Sequence, residues 1–166
     1  ASANVDQALV VFAITQPDPN FNLLDRFLIM MLAQDIPVTI CFNKTDLENG
    51  AKQQEYRSIY EQAGYPVMFV STYEKSGVEA VRDYLRGKTT ILAGPSGVGK
   101  SSLTNLLQPE AAMETGSISE KIKRGKHTTR HAELFCVEED TYLMDTPGFS
   151  SMYLEEIEPQ ELKDYF

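Results

Sequence analysis

Short, nearly solid apolar runs recur along the chain, and between them apolar residues return at helical spacing. Ala8 to Ile14, Pro37 to Phe42, Val67 to Val70 and Thr89 to Ala93 are the solid runs, rich in β-branched and aromatic residues. Runs of this length predict strands buried on both faces. After the first run, Gln16-Pro17-Asp18-Pro19 breaks the chain, Asn20 or Asn22 can cap a helix, and Leu23, Leu24, Phe27, Leu28 and Met31 supply its buried stripe. Pro37 ends that helix. The polar turn Asn43 to Gly50 precedes a helix over Ala51 to Ala63, a third helix spans Val78 to Leu85, and a fourth begins near Lys100. Strands alternating with helices predict crossover units: an α/β, three-layer fold with a mostly parallel sheet and helices on both faces. Ala132 to Val137 and Thr141 to Met144 predict two further strands joined by the acidic turn Glu138-Glu139-Asp140. From Pro109 to Arg130 the periodicity gives way to Gly, Ser, Thr and basic residues, which predicts a functional loop.

Composition adds bounds rather than detail. The 166 residues suit one domain, and 42% hydrophobic with 23% charged residues is ordinary globular usage. No apolar run approaches the roughly 20 residues of a membrane span, and no basic-then-apolar leader pattern is present, so a cytoplasmic protein without a membrane partner is expected. Cys41 and Cys136 lie far apart in apolar stretches and are expected to be reduced, buried thiols. The net charge of -9 argues against binding nucleic acid through overall positive charge. Charge is uneven, however. Lys121, Lys123, Arg124, Lys126 and Arg130 against Glu120 give one segment +4 and leave -13 on the rest. A basic loop on an acidic body is implied.

Gly94-Pro95-Ser96-Gly97-Val98-Gly99-Lys100-Ser101 satisfies GxxxxGK(S/T) between a predicted strand and a predicted helix. Backbone amides of such a loop and the helix dipole hold phosphates, with Lys100 on the β and γ phosphates and Ser101 in a Mg²⁺ shell, Ser102 beside it. Asn43-Lys44-Thr45-Asp46 fits NKxD at a strand end. The Asp46 carboxylate can accept from the ring N-H and exocyclic amine of guanine, whereas adenine offers no matching donors. Lys44 can cover the purine face, and Asn43 can tie this loop to the phosphate loop. Ser71 and Thr72, after a strand, fit a loop that gives backbone N-H groups to the guanine carbonyl. Asp145-Thr146-Pro147-Gly148 fits DxxG: Asp145 approaches Mg²⁺ through water and Gly148 offers its N-H to the γ-phosphate. Alone, NKxD reads as a polar cap and DxxG as a turn; together with the phosphate loop they read as a GTP/GDP site.

Thr128 or Thr129 can bring a loop hydroxyl to Mg²⁺, with Thr129 the first choice. Phe149 stands where many GTPases carry a water-orienting Gln, so His127 is the candidate for positioning or deprotonating the attacking water. His127, His131 and Cys136 lack a fourth ligand at suitable spacing, and no zinc site is expected.

In this chain the base-reading motifs precede the phosphate loop, a circularly permuted order. That order, with Asn4-Val5-Asp6-Gln7, Leu24-Asp25-Arg26-Phe27-Leu28, GPSGVGKSSL at 94 to 103 and Gly125-Lys126-His127-Thr128-Thr129-Arg130, closely resembles the RsgA (YjeQ) family over nearly the whole chain. A related GTPase serving the large subunit shares the permutation, but the His-Thr-Thr segment favours the small-subunit family. The resemblance implies a GTPase in late assembly of the small (30S) ribosomal subunit, stimulated by that subunit; the subunit and its rRNA are the expected partners, and a monomer is expected. The family's N-terminal OB-fold and C-terminal zinc domain are absent from this sequence, so residues 1–166 are expected to be the permuted G domain. Two other classes compete: a nucleotide-gated RNA or protein tether with negligible turnover, and a P-loop ATPase or kinase indifferent to guanine.

Overall fold

A computed structural model describes residues 5–108 and 133–145. Within them lie β1 (Gln7–Ala13), α1 (Phe21–Ala33), β2 (Val38–Asn43), a 3-10 turn (Thr45–Leu47), α2 (Ala51–Gln62), β3 (Val67–Phe69), α3 (Val78–Leu85), β4 (Thr89–Ala93), α4 (Lys100–Leu107), β5 (Glu133–Glu138) and β6 (Thr141–Asp145). They form one six-stranded sheet in the order β3-β2-β1-β4-β6-β5. Every neighbouring pair is parallel except β5 with β6.

The sheet divides the apolar residues by alternation. Ala8, Val10, Phe12 and Ile14 enter one core cluster, while Leu9, Val11 and Ala13 enter the other. This is the period of two that a strand imposes on its side chains. The first cluster is covered by α1 and α2 and the second by α3 and α4, which gives the three layers. α1 starts where the Asn20 side chain accepts a hydrogen bond from Leu23 N at 3.1 Å. It buries Leu24, Phe27, Leu28 and Met31, and Phe27 meets Phe12 edge-on with centroids 6.0 Å apart. α2 is mostly polar and is held by Tyr56 and Tyr60.

Two buried polar side chains tie the strands to their neighbours. The buried Gln7 amide donates to Tyr84 O and to Thr90 Oγ1, both at 3.0 Å, and so joins β1, α3 and β4. The buried Thr141 hydroxyl accepts from Gly87 N at 2.8 Å, fixing the entry to β4 beside β6.

One expectation fails here. Cys41 is buried, but Cys136 is exposed. β5 is an edge strand with one side turned to solvent: Val137 is buried, whereas Leu134 is 57% exposed. An apolar run therefore concealed a strand buried on one face only.

Among the described residues no helix is long and apolar enough to cross a membrane.

Candidate nucleotide site

All four interior strands of the sheet run parallel, so the segments that follow them emerge along one edge. Ala13 pairs with Asn43 across β1 and β2, and Leu92 pairs with Asp145 across β4 and β6. The loops after β2, β3 and β4 and the end of β6 thus converge, as open α/β sheets arrange their ligand-binding edges.

The phosphate loop departs from β4 at Gly94. Its φ is 148°, and a Cβ there would overlap the Val11 carbonyl oxygen of β1. Gly99, at φ 94°, caps α4, and a Cβ there would overlap the Asn43 side-chain amide. Two glycines are therefore required by neighbours as well as by backbone conformation. Pro95, Ser96 and Gly97 are at least partly open to solvent, whereas Val98 is buried and pins the loop to the second core cluster. Lys100 Nζ donates to Gly94 O at 2.7 Å, folding the ammonium back over the loop. Ser101 and Ser102 are exposed on the first turn of α4.

The segment 43–46 is fastened directly to this loop. Asn43 is fully buried. Its Nδ2 donates to Val98 O at 2.9 Å and to Thr72 Oγ1 at 3.3 Å, and its Oδ1 accepts from Thr72 N at 3.1 Å. One side chain therefore locks the loops after β2, β3 and β4 together. Lys44 adopts a left-handed conformation with φ 66°. Its ammonium donates to Gly97 O at 3.0 Å and to Gln16 O at 2.6 Å, so it spans the phosphate loop and the segment after β1.

Asp46 follows on the 3-10 turn, and Ser71 Oγ donates to its Oδ1 at 2.6 Å. The carboxylate is held in one orientation, with lone pairs left over for other donors. An open cavity of about 630 Å³ adjoins it, lined also by Thr15, Leu47, Glu48 and Lys52. Lys52 pairs with Asp18 at 3.4 Å, and the Thr15 hydroxyl, together with Lys52, holds the Asp18 carboxyl below its ordinary range.

The expected work of Ser71 and Thr72 is partly redistributed. Ser71 N donates to Ser76 O at 3.0 Å, and Thr72 N is used by Asn43. Both backbone amides are occupied internally. Ser71 instead contributes its hydroxyl, to Asp46 and as acceptor for Glu74 N at 3.0 Å. A hydroxyl one strand-end away from NKxD was visible in the sequence, but its pairing with Asp46 depends on a loop closed by the Ser71–Ser76 bridge.

Asp145 ends β6, one strand from the start of the phosphate loop. Its Oδ1 is buried and has no hydrogen-bond partner among the described residues. A buried, unpaired carboxylate oxygen is costly and calls for a cation or water. Asp145 and the Ser101 hydroxyl both offer oxygen, the donor type that Mg²⁺ takes. The candidates His127, Thr128, Thr129 and Gly148, with Phe149 and the basic segment 121–130, lie outside the described residues.

The strand order, the Gly94–Ser101 loop and its junction with Asn43 define a P-loop nucleotide-binding domain with the base-side segment encoded first. Residues 1–155 match the family described as RsgA GTPase, and the chain belongs to that family. A protein of Agathobacter rectalis called "Small ribosomal subunit biogenesis GTPase RsgA" is 60% identical over 162 residues, covering 98% of this chain and 54% of that relative. A namesake from Alkaliphilus metalliredigens is 52% identical over 164 residues, covering 99% and 56%. The crystal structure of YjeQ from Thermotoga maritima superposes with a TM-score of 0.71 at 31% identity, over 98% of this chain and 55% of that one. That of YloQ, described as a circularly permuted GTPase, gives 0.69 at 38% identity over 98% and 51%. The chain thus spans about half the length of the relatives it matches.

Proposed function

We propose that this chain binds GTP and hydrolyses its γ-phosphate as a switch in late maturation of the small ribosomal subunit. The single observation that carries the reading is the buried Asn43 amide bonded to Val98 O, which sets a base-reading loop against a phosphate loop. Relatives named for small-subunit biogenesis supply the process.

In this reading the amides of Gly94 to Ser101 surround the phosphates, and the dipole of α4 adds partial positive charge at its N-terminus. Lys100 then exchanges its loop carbonyl for the β and γ phosphates. Ser101 and Asp145 would hold Mg²⁺, Asp145 through water, with Thr129 as a further ligand. The metal supplies neutralisation of charge on the transferred phosphoryl group. Gly148 gives its N-H to the γ-phosphate, and His127 orients the attacking water, Phe149 being unable to do so. Asp46, braced by Ser71, accepts from the two guanine donors, with Thr72 and Lys44 shaping the walls and Ser102 extending the first turn of α4.

The partners in this reading are GTP and GDP and the small subunit with its rRNA, engaged by the 121–130 segment and by what flanks this domain in the relatives. The protein works as a cytoplasmic monomer. Zinc plays no part within this chain.

Nucleotide affinity and turnover test it. GTP is expected to bind at least about a hundredfold tighter than ATP, because adenine leaves the Asp46 carboxylate unpaired. Asp46→Ala should remove that preference. Comparable ATP and GTP affinity, or preference surviving Asp46→Ala, would refute the guanine assignment. Turnover by protein carrying the flanking domains should rise on adding purified small subunits, and His127→Ala should lower turnover with GTP affinity unchanged.

A further inference from the structure

α1 and α2 leave a cavity of about 490 Å³ between them. Leu28, Tyr56 and Tyr60 form its buried floor, while Phe21, Leu32 and Ile59 stand on its rim at 38%, 56% and 50% exposure. The Phe21 ring meets Tyr56 edge-on at 5.2 Å and stacks on Tyr60 at 6.4 Å, so this wall is set before anything docks. Leu28, Leu32 and Tyr65 also line an adjoining cavity of about 360 Å³ that reaches Ile36, Pro37 and Tyr84. The two form one apolar groove. No residue of the 43–46 or 94–101 segments lines either part, so nucleotide binding does not account for it.

Its charge is one-sided. Asp25 and Glu55 are the charged residues that line it, with no Lys or Arg among the lining residues. Neither carboxylate takes part in an ion pair among the described residues. Burial holds the Asp25 carboxyl above its ordinary range, with no cation offsetting it. The basic side chains of α2 are engaged elsewhere: Lys52 with Asp18, and Arg57 with Glu61 at 3.6 Å and over the Phe69 ring at 4.9 Å; Arg26 of α1 does not line the groove. A half-desolvated carboxylate beside apolar surface lacks its counter-charge.

We propose that the α1–α2 groove docks a basic amphipathic helix of a partner protein, whose apolar stripe covers Leu28, Tyr56 and Tyr60 while Lys or Arg meets Asp25 and Glu55. Helix-in-groove recognition lays an apolar stripe into a hydrophobic groove, and charge on the rim selects a partner of opposite sign. The acidic rim repels phosphate backbones, so the groove does not take RNA. A second copy is disfavoured too, since a twofold pairing would bring Asp25 and Glu55 against themselves on a chain of net charge -9. The proposal does not rest on the GTP reading, and either can fail alone.

The test uses the 166-residue chain and two labelled helical peptides with the same Leu spacing, one carrying Lys and one Glu at the flanking positions. Fluorescence anisotropy should show binding of the Lys peptide only. Asp25→Asn with Glu55→Gln, and separately Ile59→Glu, should each weaken it by about tenfold, the size of loss that follows truncation of an interface anchor. Ile59→Glu is decisive because it adds negative charge: binding through diffuse electrostatics would strengthen, whereas seating in the groove must weaken. Ile59 is half-exposed, so this change leaves the fold in place, as circular dichroism and an unchanged GTP affinity would confirm. Equal binding of the two peptides overturns the proposal, as does tighter binding by Ile59→Glu. A concentration-dependent dimer abolished by Ile59→Glu would also overturn it, by making a second copy the occupant.

Discussion

Cys41 and Cys136 are chemically identical residues placed in opposite surroundings. The Cys41 thiol is fully buried on β2, and burial pushes its pKa from 9.0 up to about 12. Thiolate, not thiol, is the nucleophile, so Cys41 is protected both by access and by protonation. Cys136 is exposed on the edge strand, with its Sγ 3.4 Å from Glu138 O. Native protein treated with iodoacetamide at pH 8 is expected to gain one adduct, at Cys136, and a second only on unfolding, as intact-mass and peptide analysis would show. The same burial sets a pH dependence. A folded thiol that ionises later than the unfolded one is stabilising to retain as a thiol, so its contribution is complete below the unfolded value of 9.0 and is lost as pH rises towards about 12. Cys41→Ala should therefore flatten the alkaline limb of a stability-against-pH curve.

The elements themselves were largely readable because their signals are local. Asn20 and the solid runs mark the start of α1 and the bounds of β1 and β2 to within a residue, while α1 ends at Ala33, four residues before Pro37; the Lys100 start of α4 follows from its glycine loop. What sequence could not supply is which faces and atoms remain once elements pack. Ala132 to Val137 reads as a strand with Cys136 buried in it, yet only its position at the sheet edge decides that alternate residues face water. Ser71 and Thr72 were placed in the base loop, but the division of labour between hydroxyl and amide depends on the bridge to Ser76. Likewise Lys44 bonds to Gln16 O, a partner that no motif names. The phosphate loop illustrates the legible side: glycine there answers to a neighbour, the Val11 carbonyl, as well as to φ. Gly94→Ala should cost about 1–3 kcal/mol in backbone strain alone, before β1 or the loop shifts to relieve the overlap. Chemical denaturation should register that loss, and nucleotide affinity should fall with it. An unchanged midpoint and affinity would mean that the loop leaves β4 by another route.

Three loops separated widely in sequence behave as one body if the sheet and Asn43 are arranged as described. β1 lies between β2 and β4 and sends alternate residues into both cores, so its amides should open only with global unfolding, whereas those of the short edge strand β3 should exchange by local fraying. Guanine nucleotide is then expected to slow hydrogen exchange jointly in 43–46, 71–74 and 94–100, because each of these segments contacts the Asn43 side chain or neighbours a residue that does. Asn43→Ala separates this coupling from ligand contact. It leaves Val98 O and Thr72 N without partners in a buried site, a cost of about 2–4 kcal/mol. For a chain of this size that is a fall in Tm of about 5–10 °C. At saturating GTP the variant should still protect 94–100, which meets phosphate in the proposed site, but protection of 71–74 should be lost, since its tie to the rest of the site is gone. Retained protection at 71–74 would show that the base loop is held by something other than Asn43, and the permuted order would then rest on the sheet alone.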